Sequence, residues 1–110
     1  SLGDKHLAFI AKRFLEQDFM KDVSKAQVFK EYGYVYEDEG QEKQGVIDLM
    51  LVYPDKVVII DYKTYDLSDE DYQNQLASYG KFAHRAFNKP VETMLYSLEG
   101  GFKNDGPSFK

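Results

Sequence analysis

Between residues 4 and 22, apolar side chains recur at three- and four-residue spacing: Leu7, Ile10, Phe14, Leu15 and Phe19. Lys12, Arg13, Glu16 and Gln17 fall on the other side, so the spacing predicts an amphipathic helix over 4–22. From residue 26 the period shortens. In AQVFKEYGYVYE (26–37), Val28, Tyr32, Tyr34 and Tyr36 share one parity and Glu31, Gly33 and Val35 the other, as in a strand. A polar, Gly-containing turn follows over 37–42. QGVIDLMLVY (44–53) then reads as a second strand, which makes 26–53 a hairpin. Pro54-Asp55 turns the chain again, and 56–63 forms a third strand in an antiparallel meander. Ser68 with Asp71 three residues on resembles a capping box, so a helix is expected over 69–88, closed before Pro90. VETMLYSL (91–98) is a last strand. Beyond it three glycines and a proline predict a loose tail over 100–110.

The order α-β-β-β-α-β, without repeat or linker, predicts one domain over 1–110. Its class is α/β (α+β), a central mixed β-sheet flanked by helices. A chain of 110 residues holds one modest core. With 43% hydrophobic and 30% charged residues it reads as soluble and globular. Nine Tyr and eight Phe, with no Trp, are expected to fill much of that core. No apolar run of about 18 residues predicts a membrane span, and no basic-then-apolar leader predicts export. The absence of cysteine removes thiolate metal sites and thiol nucleophiles and fits a cytoplasmic location. A net charge of −5 argues against a generic nucleic-acid coat but not against carboxylates gathered around a cation.

Two strands carry charges where apolar residues are expected. Asp48 interrupts GVIDLMLV, and Asp61 and Lys63 end VVIIDYK. Residues two apart in a strand share a face, so Asp61 and Lys63 point the same way and Tyr62 the other. A hairpin centred on Pro54-Asp55 sets position 48 opposite position 61. Two carboxylates about 4–5 Å apart repel by a few kcal/mol at an effective dielectric near 20. Lys63 offsets part of that, and a hard divalent cation offsets more. A structural Asp–Lys pair is the plain alternative. Three ionisable groups converging from two apolar strands favour a site, because burying them for stability alone is a poor solution. The matching chemistry is phosphodiester hydrolysis. Two carboxylates would hold Mg²⁺ or Mn²⁺, and Lys63 would position or deprotonate water and stabilise charge on the phosphate.

Gly45-Val46-Ile47-Asp48, then Ile60-Asp61-Tyr62-Lys63-Thr64, then Gln75-Leu76-Ala77-Ser78-Tyr79 resemble the motifs of the PD-(D/E)XK nuclease superfamily. Within it they are most similar to the RecB/AddA-type nuclease domain of bacterial helicase-nucleases. The likeness covers roughly residues 26–98. It implies a restriction-endonuclease-like core, with Asp48, Asp61 and the Tyr62 backbone carbonyl as metal ligands and Lys63 as the catalytic lysine. Gln75 and Tyr79 would line the site and approach DNA, and Gln75 joins the catalytic set. Tyr79 is also explained by a helix face packing on the sheet.

The implied activity is a Mg²⁺- or Mn²⁺-dependent DNA exonuclease or endonuclease acting in double-strand-break repair and recombination. A helicase domain of the same parent chain would bind ATP, since no phosphate-binding loop motif occurs here. The implied partners are DNA and an AddB-like second subunit, with no membrane. Such domains also carry a metal-binding His on a helix well before the first strand. His6 stands only a short way upstream, so the chain reads as a C-terminal fragment whose His motif lies in the parent. His84 and Glu31 read as surface residues. A fragment alone is expected to have little or no activity. The alternative function is a non-catalytic nuclease-like module that binds DNA or braces a partner.

Overall fold

A computed structural model of the chain describes Lys5 and residues 23–63, 68–97, 101–103 and 106–110. The helix expected over 4–22, and His6 within it, lie outside the described residues apart from Lys5. A short 3-10 turn, Val23–Lys25, leads into strand β1 (Gln27–Asp38). There follow β2 (Gln41–Val52), β3 (Val57–Tyr62), helix α1 (Asp69–Phe87), β4 (Val91–Ser97), β5 (Gly101–Lys103) and β6 (Ser108–Phe109).

These strands form one mixed sheet in the order β1-β2-β3-β4-β5, with β6 also paired to β4. The first three strands are antiparallel neighbours, as the meander predicts, and β3 and β4 are parallel. A parallel pair needs a crossover, and α1 supplies it. Ser68 caps α1 by accepting a hydrogen bond from the Asp71 amide at 3.1 Å, and Asn88 ends it in the left-handed conformation. Tyr72, Leu76, Tyr79, Gly80 and Ala83 form the buried stripe of α1.

That stripe packs on one face of the sheet with Ile47, Met50, Val52, Val57, Ile59, Val91 and Leu95. The other face carries a second cluster: Leu49, Leu51, Tyr53, Val58, Ile60, Met94 and Tyr96. Strands apolar on both faces explain why 49–53 and 57–60 read as continuous hydrophobic runs rather than alternating ones.

One irregularity matters for the site. The β1–β2 register is the same on both sides of Glu31 and Asp48, from Gln27↔Val52 to Asp38↔Gln41, but those two residues are not a ladder pair. Glu31 has φ +50°, unusual for a residue with a side chain. Across this break the alternation changes phase in both strands. Phe29 and Tyr32 both pack toward α1, and so do Ile47 and Met50. Val28, expected to share the tyrosines' face, is instead 50% exposed. Local pattern reading carries a strict two-residue period through a point where the backbone departs from it.

The tail also differs from expectation. Ser97↔Gly101 and Leu95↔Lys103 pair β5 with β4, and Val91↔Phe109 pairs β6 with it. The outer edge of β4 offers backbone groups that need partners, and these segments supply them. Phe109 fits against Gly80, where a Cβ atom would overlap its ring. Among the described residues, no helix is long and apolar enough to cross a membrane.

Candidate active site

The carboxyl end of β3 is where the sheet forks. The β2–β3 ladder ends at Leu49↔Ile60, in the register that sets Asp48 opposite Asp61. Beyond it, β3 stays with β4 as far as Tyr62↔Tyr96, and the Lys63 amide donates to the Tyr96 carbonyl at 2.7 Å. Asp48 sits at the fork. Its Oδ2 accepts a hydrogen bond from the Tyr62 amide at 2.9 Å. A side-chain carboxylate thus takes the role that a backbone carbonyl plays within a ladder.

Asp61 follows Val57 and Ile59 on the face toward α1 and is 2% exposed. Gln75, on α1, donates from Nε2 to Asp61 Oδ2 at 2.8 Å. The register sets the Asp48 side chain beside Asp61, close enough to act on its carboxyl. Burial raises Asp61 first, and Asp48 adds to that. Gln75 and the Tyr62 amide pull the other way, and the result is about 8. At neutral pH Asp61 therefore keeps its proton, which relieves the repulsion with Asp48. Tyr79 lies buried one helical turn after Gln75. Its phenol is raised by burial, then by the charges of Asp61 and Asp48.

The structure brings Asp48, Asp61, Gln75 and Tyr79 together. Tyr62 contributes its amide to Asp48, while its ring lies on the opposite face, 6.0 Å from the Tyr96 ring. Lys63 follows at the strand end. Its Nζ is 2.5 Å from Asp69 Oδ1 and 5.8 Å from the centre of the Tyr72 ring. The cation expected to offset Asp48 and Asp61 is thus ion-paired with the first turn of α1. Asp69 is lowered by Lys63, through their hydrogen bond and then its charge. Glu31 is exposed, and His84 Nε2 is 3.2 Å from the Lys110 carbonyl oxygen.

Asp69, Tyr34 and Ser78 were not legible as site neighbours. Tyr34 Oη and Ser78 Oγ are hydrogen-bonded at 2.9 Å. Ser78 lies inside the Q-L-A-S-Y motif, which is the signal that points to it. The Lys63–Asp69 pair bridges the loop between β3 and α1, and no sequence pattern marks it.

Among the described residues, no group of three or more His, Cys, Asp or Glu is gathered. Asp48 and Asp61 alone are two hard oxygen donors held side by side on strands. That donor set fits a hard divalent cation completed by backbone carbonyl and water, since such ions keep several waters. The cation would take the place of the Asp61 proton.

No family model matches the chain. It is similar to an ATP-dependent helicase/nuclease subunit of Clostridium beijerinckii, 32% identical over 95 residues, which cover 79% of this chain and 8% of that protein. It is also similar to the corresponding ATP-dependent helicase/nuclease subunit of Clostridium acetobutylicum, 28% identical over 68 residues, covering 62% of this chain and 5% of that protein. The chain thus spans less than a tenth of either relative.

Proposed function

We propose that the chain is a PD-(D/E)XK-type nuclease domain, with a restriction-endonuclease-like core, of an ATP-dependent helicase-nuclease that cleaves DNA phosphodiester bonds. The observation that carries this reading is the Asp48–Asp61 pair at the fork of β2 and β3, faced by Gln75 from α1. The similarity to helicase/nuclease subunits supports it.

In this reading Asp48, Asp61 and the Tyr62 carbonyl would hold Mg²⁺ or Mn²⁺. Such a cation, when bound, lowers the pKa of water and neutralises charge on the phosphate. The chain's own groups do the rest. Asp61 is fixed by the Gln75 amide and Asp48 by the Tyr62 amide, so both carboxylates are held on strands rather than loops. Lys63 carries a positive charge at the strand end. Released from Asp69, it reaches toward the scissile phosphate and stabilises the charge developing there. Gln75 contacts the DNA strand, whereas Tyr79, buried in the stripe that packs α1 on the sheet, does not reach it. ATP is bound by a helicase domain of the same parent chain, and an AddB-like second subunit is its partner.

The test uses the full parent protein. Lys63→Ala is expected to fold, bind DNA and hydrolyse ATP, with DNA cleavage reduced by about 10²-fold or more. A wild-type parent that binds DNA but does not cleave it in Mg²⁺ or Mn²⁺ would refute this reading. That outcome would favour the non-catalytic module.

A further inference from the structure

Two of the sequence motifs contain residues that the chemistry above does not use: Gly45 in G-V-I-D and Ser78 in Q-L-A-S-Y. One side chain joins them. Tyr34, on β1, is 6% exposed and pairs across the ladder with Gly45. A Cβ atom on Gly45 would lie 2.9 Å from Tyr34 Oη, 3.0 Å from its Cε1 and 3.1 Å from its Cζ. The missing side chain is therefore the space in which the phenol lies. Held there, Tyr34 Oη meets Ser78 Oγ at 2.9 Å. Its ring stands edge-on to Tyr79, centroids 5.7 Å apart at 88°, and stacks on Phe82 at 4.6 Å and 22°.

Ser78 is next to Tyr79 and three residues, nearly one turn, from Gln75. Gly45 is three residues before Asp48. The phenol thus ties the helix that carries Gln75 to the hairpin that carries Asp48, beside the site itself. We propose that Tyr34 is a positioning residue. Seated over Gly45 and bonded to Ser78, it fixes the angle of α1 so that Gln75 reaches Asp61. Its catalytic consequence rests on the nuclease reading, but its geometric content does not. A hydrogen bond between a hydroxyl pair costs little to lose in a merely structural setting. A misplacement of about 1 Å at a reacting group costs up to about 10²-fold in rate.

Two arms test it. In the 110-residue chain, NMR follows hydrogen exchange of the Gln75 side-chain amide and of the Ile59 backbone amide in Tyr34→Phe, Ser78→Ala and Gly45→Ala. Exchange at Gln75 is expected to rise by about tenfold or more, with a much smaller change at Ile59. Equal acceleration at both sites would mean general destabilisation and overturn the proposal, as would no acceleration at either. In the parent protein, Tyr34→Phe is expected to lower kcat for DNA cleavage by about tenfold or more, leaving KM for DNA and the ATPase rate unchanged. Ser78→Thr, which keeps a hydroxyl, is expected to retain kcat. An unchanged kcat in Tyr34→Phe overturns the positioning role. If the wild-type parent does not cleave DNA, the nuclease reading fails, and the exchange arm alone decides the geometry.

Discussion

Asp48 and Tyr62 are joined by a hydrogen bond of 2.9 Å from the Tyr62 amide to the Asp48 carboxylate, at the point where β2 and β3 part. Removing the acceptor leaves a partly buried amide unpaired, which costs about 1–3 kcal/mol. Asp48→Ala is expected to lose about 1–2 kcal/mol of stability by urea denaturation near pH 7. Asp48→Asn keeps a carbonyl acceptor and is expected to lose less than half of that. Equal losses in the two variants would show that this bond does not hold the fork.

The Asp61 carboxyl predicts a pH dependence of definite sign. Its ordinary value is 3.8 and its folded value is about 8. Between these the folded chain holds a proton that the unfolded chain has released. Stability from this group is fully present below about pH 4 and is lost as pH rises to about 8. The size is on the order of a few kcal/mol, since a tenfold change in proton affinity is worth about 1.4 kcal/mol. Asp61→Asn removes the titration. In metal-free buffer, the urea midpoint of wild type relative to Asp61→Asn is expected to fall steadily from pH 5 to pH 8. A constant difference would contradict the raised carboxyl.

A divalent cation held by Asp48 and Asp61, as proposed, would displace the proton on Asp61. Titration with Mn²⁺ near pH 7 is therefore expected to release protons, visible as a buffer-dependent binding heat in calorimetry. It is also expected to raise the melting temperature of wild type. Neither effect is expected in Asp61→Ala. Proton-free binding of equal affinity in that variant would exclude Asp61 as a ligand.

What the sequence revealed follows from what is local. The strand over 57–62 opens with four β-branched residues, Val57 to Ile60, and the cap at Ser68 is a side chain bonding its own helix. The β2–β3 register was readable because Pro54-Asp55 fixes the turn and apolar residues fill both sides of it. The phase change at Glu31 and Asp48 was not readable, because it depends on a positive φ at a residue with no preference for one. The tail strands were missed for another reason. Gly101–Lys103 and Ser108–Phe109 have little strand propensity and are ordered by the free edge of β4. In the site, Asp48 and Asp61 were legible as neighbours through the register. The Lys63–Asp69 pair was not, since two residues joined across a loop carry no periodic signal.

Gly80 offers a test in which two effects of opposite sign compete. It lies inside α1, where alanine is worth about 1 kcal/mol more than glycine in helix propensity. A Cβ there, however, would overlap Cε2 of Phe109 and lie 2.7 Å from its Cδ2. The ring must move, and β6 with it, since Val91↔Phe109 is one of its two pairings. Gly80→Ala is therefore expected to destabilise the wild-type chain by about 1–2 kcal/mol, as overpacking does. Phe109→Ala removes the obstacle at the cost of the ring's own burial. On that background Gly80→Ala is expected to stabilise, by about 0.5–1 kcal/mol. The measurement is a double-mutant cycle by urea denaturation. The change of sign is the decisive outcome. If Gly80→Ala destabilises both backgrounds equally, Phe109 does not pack on α1, and the tail does not hold its place on β4.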